Sequence, residues 1–212
     1  MYSVIAHDLR SPMASMKMLL NTIMMSVEKD KIDPDIFDML EMSNKTSEEV
    51  FSLLDNLLKW TKSQLGKLTV IPQKLDISGL ADGVVEVTNS VAEVKHIKLI
   101  RTDHESFFVY VDIEMIKSIL RNLISNAVKF SNPDSEIKVG IKAEDGKVIV
   151  SVTDSGKGIK KEDQHKLLKD STHFTTYGTN SEEGSGLGLL LCRDFARKNG
   201  GELWFLGKDV AG

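Results

Sequence analysis

Apolar residues recur at Leu9, Met13, Met16, Leu20, Ile23 and Val27, in alternating steps of four and three. That spacing predicts a helix packing at a shallow angle along one seam. A polar break follows at Glu28-Lys29-Asp30-Lys31, and Asp33-Pro34 then reads as a helix start. The next run places Ile36, Leu40, Ser43, Ser47, Val50, Leu54, Leu57 and Thr61 at the same spacing, with a second stripe at Phe51, Leu58 and Leu65. Two such helices joined by a short loop predict an αα-hairpin. Its apolar faces are too wide for one hairpin to cover. The expectation is therefore a homodimer in which two hairpins form a four-helix bundle.

The pattern changes after residue 66. Lys67–Leu75 reads as an extended lead-in strand, Ile77–Val94 as a helix, and Lys98–Arg101 and Phe107–Val111 as short strands. Asp112–Phe130 has strong helical periodicity. Glu136–Lys142 and Lys147–Thr153 alternate around Asp145-Gly146, a hairpin turn signal. Leu187–Lys198 reads as a helix closed by Asn199-Gly200-Gly201, and Glu202–Leu206 as a last strand. Every glycine lies at or beyond Gly66. The expected class is α+β, with a hairpin domain at 1–66 and an α/β sandwich domain at 67–212.

Composition narrows the functions. Apolar residues make up 41% and charged residues 27% of 212, an ordinary globular balance. The net charge of −4 offers no general basic field, so nucleic acid is not an expected partner. A lone Cys192 allows no intrachain disulfide and fits a reducing, cytoplasmic setting. No apolar run approaches the roughly 18 residues of a membrane span. Membrane contact by these residues is not expected.

Three segments carry candidate chemistry. In Arg121–Phe130, residues Asn122, Asn126 and Lys129 fall within roughly 60° of each other on a helix. Ile116, Leu120, Leu123 and Ala127 mark a separate apolar face. Carboxamide oxygens suit a hard cation such as Mg²⁺, and an ammonium suits a phosphate. Taken alone, the stripe reads as the solvated face of an amphipathic helix. In the second segment, a strand ends in Asp154-Ser155-Gly156-Lys157-Gly158. A carboxylate fixed there can accept from an adenine amino group, and the glycines let backbone approach a flat base. A plain glycine turn has the same pattern. In the third, Gly184-Ser185-Gly186-Leu187-Gly188 runs into a helix whose free N–H groups suit phosphate. A hinge would look alike. The polar stretch between the last two, with Phe174 and Tyr177 as anchors, suits a segment that orders over nucleotide.

In this order the segments resemble the ATP-binding domain of bacterial sensor histidine kinases, which share a fold with the gyrase, Hsp90 and MutL ATPases. Asn122-x-x-x-Asn126-x-x-Lys129-Phe130 is similar to the N box, and Asp154-x-Gly156-x-Gly158 to the first glycine box. Gly184-x-Gly186-Leu187-Gly188 is similar to the second, and Phe174 to the F box. The resemblance implies ATP and Mg²⁺ as cofactors, Asn122 and Asn126 as metal ligands, Lys129 on phosphate and Asp154 on adenine.

Ile5-Ala6-His7-Asp8-Leu9-Arg10-Ser11-Pro12 is similar to the family's H box. His7 lies about 160° from the Leu9 seam position, pointing away from the apolar face. Asp8 beside it can take a proton. Pro12 lacks the N–H that would bond the Asp8 carbonyl, which predicts a loosened helix there. The resemblance implies in-line attack of the His7 imidazole on the γ-phosphorus, then transfer to an aspartate on a response regulator receiver domain. Asp8-x-x-Ser11 is close to the family's regulator-dephosphorylation pattern, with Ser11 where that pattern has Thr or Asn. Two alternatives stay open: an ATPase of the gyrase type, and a nucleotide-binding dimeric scaffold without catalysis. Glu114 matches poorly the carboxylate that such ATPases use.

Overall fold

The computed structural model describes residues 2–28, 31–103, 105–159, 179 and 186–207, with side chains from residue 10 onward. The chain divides into two compact units, Met1–Leu68 and Thr69–Gly212.

The first unit is an antiparallel helical pair, α1 (Tyr2–Ser26) and α2 (Pro34–Gln64). Asp33 caps α2, accepting from the Asp35 N–H at 2.9 Å, and Pro34 opens the helix with the φ it already holds. Arg10 meets Asp55 at 2.7 Å, Asn44 donates to Asn21 at 3.0 Å, and Lys17 approaches Glu48 at 3.4 Å. All three pairs are symmetric about the interhelix loop, so one register runs the length of the hairpin. α1 continues through Pro12 without interruption, so the expected loosening does not break the helix.

The inward row of α2 is Phe37, Leu40, Asn44, Ser47, Phe51, Leu54 and Leu58. It takes Leu40, Ser47 and Leu54 from one expected stripe, and Phe51 and Leu58 from the other. Ile36, Val50 and Leu57 stay exposed, as do Met16 and Ile23 of α1. A single neighbouring helix covers only one row of a face this wide.

In the second unit, β2 (Lys98–Arg101) pairs parallel with β4 (Glu136–Glu144), which pairs antiparallel with β5 (Lys147–Thr153). β1 (Gln73–Asp76) and β3 (Phe108–Val111) form a separate antiparallel ribbon. Ile137, Val139 and Ile141 alternate inward along β4 against α3 (Ile77–Val94) and α4 (Ile113–Phe130). The core unites Ile77, Ala81 and Val84 of α3 with Leu120 and Ile124 of α4. A last helix, α5 (Leu187–Lys198), packs on α4. Asp145 and Gly146 both hold positive φ, 50° and 73°, the geometry of a type I′ hairpin turn.

Two expected strands differ. The lead-in at Lys67–Leu75 enters a ladder only from Gln73. Pro72 has no N–H to offer, β3 is four residues long, and the Ile71 N–H donates instead to the Asp112 carboxylate at 2.9 Å. Glu202–Leu206 joins no strand ladder among the described residues, and Leu206 stands 86% exposed. Its alternation matches a strand, but a strand exists only with a paired neighbour.

Candidate nucleotide site

α4 organises the site. Asp112 caps its start, accepting from the Met115 N–H at 3.0 Å, and Leu120, Ile124, Ala127 and Val128 anchor it in the core. The expected apolar face is met at Leu120 and Ala127, while Ile116 and Leu123 are only half-buried. Ile124 and Val128 are buried beside them. Asn122, Asn126 and Lys129 are each half-buried on the flank of that row. The Asn126 Nδ2 donates to Asn122 Oδ1 at 3.0 Å, which leaves the Asn126 Oδ1 outside that pair. Two carboxamides one turn apart, with no carboxylate between them, suit a cation that keeps most of its shell as water and phosphate oxygens. Among the described residues no cluster of three His, Cys, Asp or Glu could hold a metal by itself.

Two glycines bring the other segments onto this helix. A Cβ at Gly188 would collide with the Asn122 carboxamide, its Oδ1 only 2.7 Å away. α5 can approach α4 this closely because residue 188 has no side chain. Gly186, in the left-handed region at φ 66°, stands at the N-cap of α5 and supplies no side-chain cap. The start of α5 thus carries no side-chain cap from its N-cap residue, and its dipole favours an anion. A Cβ at Gly156 would overlap the Phe130 carbonyl, its carbon 2.8 Å away. The next residue, Lys157, donates its N–H to that carbonyl at 3.3 Å. Asp154, exposed at the end of β5, accepts from the Gly156 N–H at 2.9 Å through Oδ1. One oxygen holds the turn, and the other remains for a ligand. Gly158 turns the chain away at φ 65°.

Residues 111–211 match the family described as histidine kinase-, DNA gyrase B- and HSP90-like ATPases. The adaptive-response sensory kinase SasA of Crocosphaera subtropica is 31% identical over 95% of this chain, which covers 54% of that protein. The solved structure of full-length ShkA in complex with AMPPNP shares the fold over 92% of this chain and 40% of its own, with a TM-score of 0.66 and 19% identity. The catalytic domain of the histidine kinase ThkA aligns with 63% of this chain and 86% of its own, with a TM-score of 0.55 and 29% identity. The chain is similar to sensor histidine kinases over nearly its whole length. It spans about half the length of the curated SasA relatives it matches.

The residues expected on nucleotide come from three places that meet at α4. Asn122, Asn126, Lys129 and Phe130 lie on the helix, and Asp154, Gly156 and Gly158 on the turn after β5. Gly186, Leu187 and Gly188 lie at the start of α5, with Leu187 buried. Gly184, Phe174 and Tyr177 fall outside the described residues. His7 and Asp8 lie on α1, outside the described side chains, and Ser11 is exposed on α1. Cys192 is buried, and desolvation pushes its thiol up to about 12. A thiol that keeps its proton is no nucleophile, and Cys192 fills the core instead.

Sequence reasoning missed three contributors. The Lys157 ammonium stands 5.1 Å from the centre of the Phe130 ring and that of Lys129 stands 5.4 Å from it, so two cations meet one aromatic face or edge. Lys157 was legible as the residue between two glycines. Lys95 and Thr179 also join the end of α4, at 3.2 Å and 3.1 Å from the Lys129 carbonyl. Nothing in their local spacing marks either one.

Proposed function

We propose that the chain is the catalytic core of a two-component sensor histidine kinase, which autophosphorylates on His7 with ATP and passes the phosphoryl group to a response regulator aspartate. The observation that carries this reading is the meeting of three segments on α4: Asn122 against Gly188, and Phe130 against Gly156. Such close approach supports a reading in which Asp154, the Asn122–Asn126 pair and the start of α5 act on one nucleotide. The AMPPNP bound in ShkA supports ATP as the ligand of this fold.

In this reading residues 67–212 bind ATP and residues 1–66 form the dimerisation and phosphotransfer hairpin. Asp154 accepts from the adenine amino group through its remaining oxygen. The start of α5, with Gly184 before it, and Lys129 hold the phosphates. Asn122 and Asn126 would hold Mg²⁺, which would supply charge neutralisation for the phosphates. The His7 imidazole nitrogen attacks the γ-phosphorus, the bond to the β-phosphate oxygen breaks, and ADP leaves. Asp8 takes the imidazole proton. The phosphohistidine then yields its group to a carboxylate of the receiver domain. Ser11, with Asp8, is the candidate for positioning water in regulator dephosphorylation. This chemistry belongs in the cytoplasm, and no helix among the described residues is long and apolar enough to cross a membrane.

Glu114 argues against the hydrolytic alternative. It is exposed in the first turn of α4, two turns from Asn122, too far to activate water at the phosphates. Incubation with γ-labelled ATP tests the proposal. Acid-labile protein label should appear, and His7→Ala should abolish it. Label persisting in His7→Ala would remove His7 from its role. Hydrolysis without labelling would favour an ATPase, and binding without either a scaffold.

A further inference from the structure

The C-terminus of α4 is closed in an unusual way. The last four carbonyls of a helix have no intrahelical partner and must find others. Commonly a left-handed glycine just past the end reorients the backbone to supply them. Here the cap is Ser131, extended at ψ 147°, and it supplies only its own N–H, to Ala127 O at 3.0 Å. The remaining carbonyls are met from elsewhere in the chain. Phe130 O accepts from Lys157 N–H. Val128 O and Lys129 O both accept from Lys95 Nζ, each at 3.2 Å.

Lys95 is the residue just past α3, and only 9% of it is exposed, rare burial for a lysine. Its ammonium also donates to Thr179 Oγ1 at 2.9 Å. Thr179 in turn stands 3.1 Å from Lys129 O and 2.9 Å from Ser131 O through that hydroxyl, and donates its N–H to Lys129 O at 3.1 Å. A cation at this end of a helix is favoured by the dipole as well as by the hydrogen bonds. The turn it grips is the one that carries Lys129 and Phe130.

We propose that Lys95 is a positioning residue of the nucleotide site: it fixes the last turn of α4 and, through it, the aim of the Lys129 ammonium at the phosphates. The inference rests on the ATP-site reading above. Lys95 need not touch nucleotide. Its influence falls mainly on the phosphate end, because Asp154 at the adenine end hangs from β5 and its turn meets the last turn of α4 through the Phe130 carbonyl.

Titrations of the full chain with ATP and with adenosine, followed by NMR, distinguish this role from general support of the fold. Loss of a charge-assisted contact should weaken ATP binding about tenfold in Lys95→Met. Adenosine binding should stay within about twofold, and Lys95→Arg should recover most of the ATP affinity. In a Lys129→Met background, Lys95→Met should add nothing further, because the group it aims is gone. Equal weakening of ATP and adenosine, no weakening of either, or additive losses in the double variant would each overturn the proposal. If Lys95→Met does not fold, Thr179→Val, which keeps the ammonium, should show the same selective loss at smaller size, and an unselective loss overturns the proposal. A wild-type chain that binds adenosine no more weakly than ATP overturns the ATP-site reading itself, an outcome separate from the others.

Discussion

Gly156 and Gly83 show how differently one residue type is used along the chain. A Cβ at Gly156 has nowhere to go, with the Phe130 carbonyl carbon at 2.8 Å and the Asp154 Oδ1 at 2.9 Å. Gly156→Ala should push the glycine turn off α4 and weaken ATP binding at least about tenfold, a cost typical of forced overpacking. Gly83 lies within α3 with nothing within 4 Å of its missing Cβ. Gly83→Ala should leave ATP affinity unchanged and raise stability by about 0.5–1 kcal/mol in urea unfolding. The contrast explains what was legible at this scale. Asp154-x-Gly156-x-Gly158 could be read because its members are close in sequence and each has a local conformational duty. Lys95 could not, because its partners Val128 and Thr179 become neighbours only after folding.

At the scale of elements, local chemistry that closes on itself was readable. Asp33-Pro34 begins α2, and Asp145-Gly146 turns between β4 and β5, because capping and left-handed φ depend on the residues themselves. What depended on a distant partner was not readable. Lys67–Leu75 yields a strand only where β3 can pair, and Glu202–Leu206 remains outside any ladder among the described residues. Asp112 shows both kinds of information in one side chain. Its Oδ1 caps α4 at Met115, while its Oδ2 holds the Ile71 N–H at 2.9 Å and its own N–H donates to Asn199 at 2.7 Å. The cap was implicit in the helix start, and the two long-range bonds were not. Asp112→Ala should cost about 2 kcal/mol, the sum of a lost cap and a lost hydrogen bond to the Ile71 N–H. Asp112→Asn retains one carbonyl oxygen and should recover roughly half of that loss in the same urea measurement.

For the whole molecule, the hairpin raises the question of what completes it. Among its described residues Ser47 and Ser63 are buried, and no apolar side chain is. A unit without a buried apolar residue cannot offset the entropy of ordering two long helices. Its exposed apolar positions are also not scattered. Met16, Leu19, Met42 and Val50 line one groove of about 660 Å³, at whose floor the buried Ser47 Oγ has no hydrogen-bond partner. Both the apolar wall and the unsatisfied hydroxyl fit a second copy of the same hairpin, whose equivalent face is complementary by symmetry. The seam of alternating steps was readable in the sequence, but its division between an inner row and an outer row was not. That division depends on which helix arrives first. The expected state is a homodimer, with light scattering at micromolar concentration giving twice 23.6 kDa. Val50→Glu puts a carboxylate into the shared groove and should raise the dimer dissociation constant at least about a hundredfold, since an unpaired buried charge costs several kcal/mol. Val91→Glu, on the exposed side of α3 at 60% exposure, should leave the mass at the dimer value. A monomeric wild type, or equal dissociation in both variants, would show that these rows are covered by something other than a second hairpin.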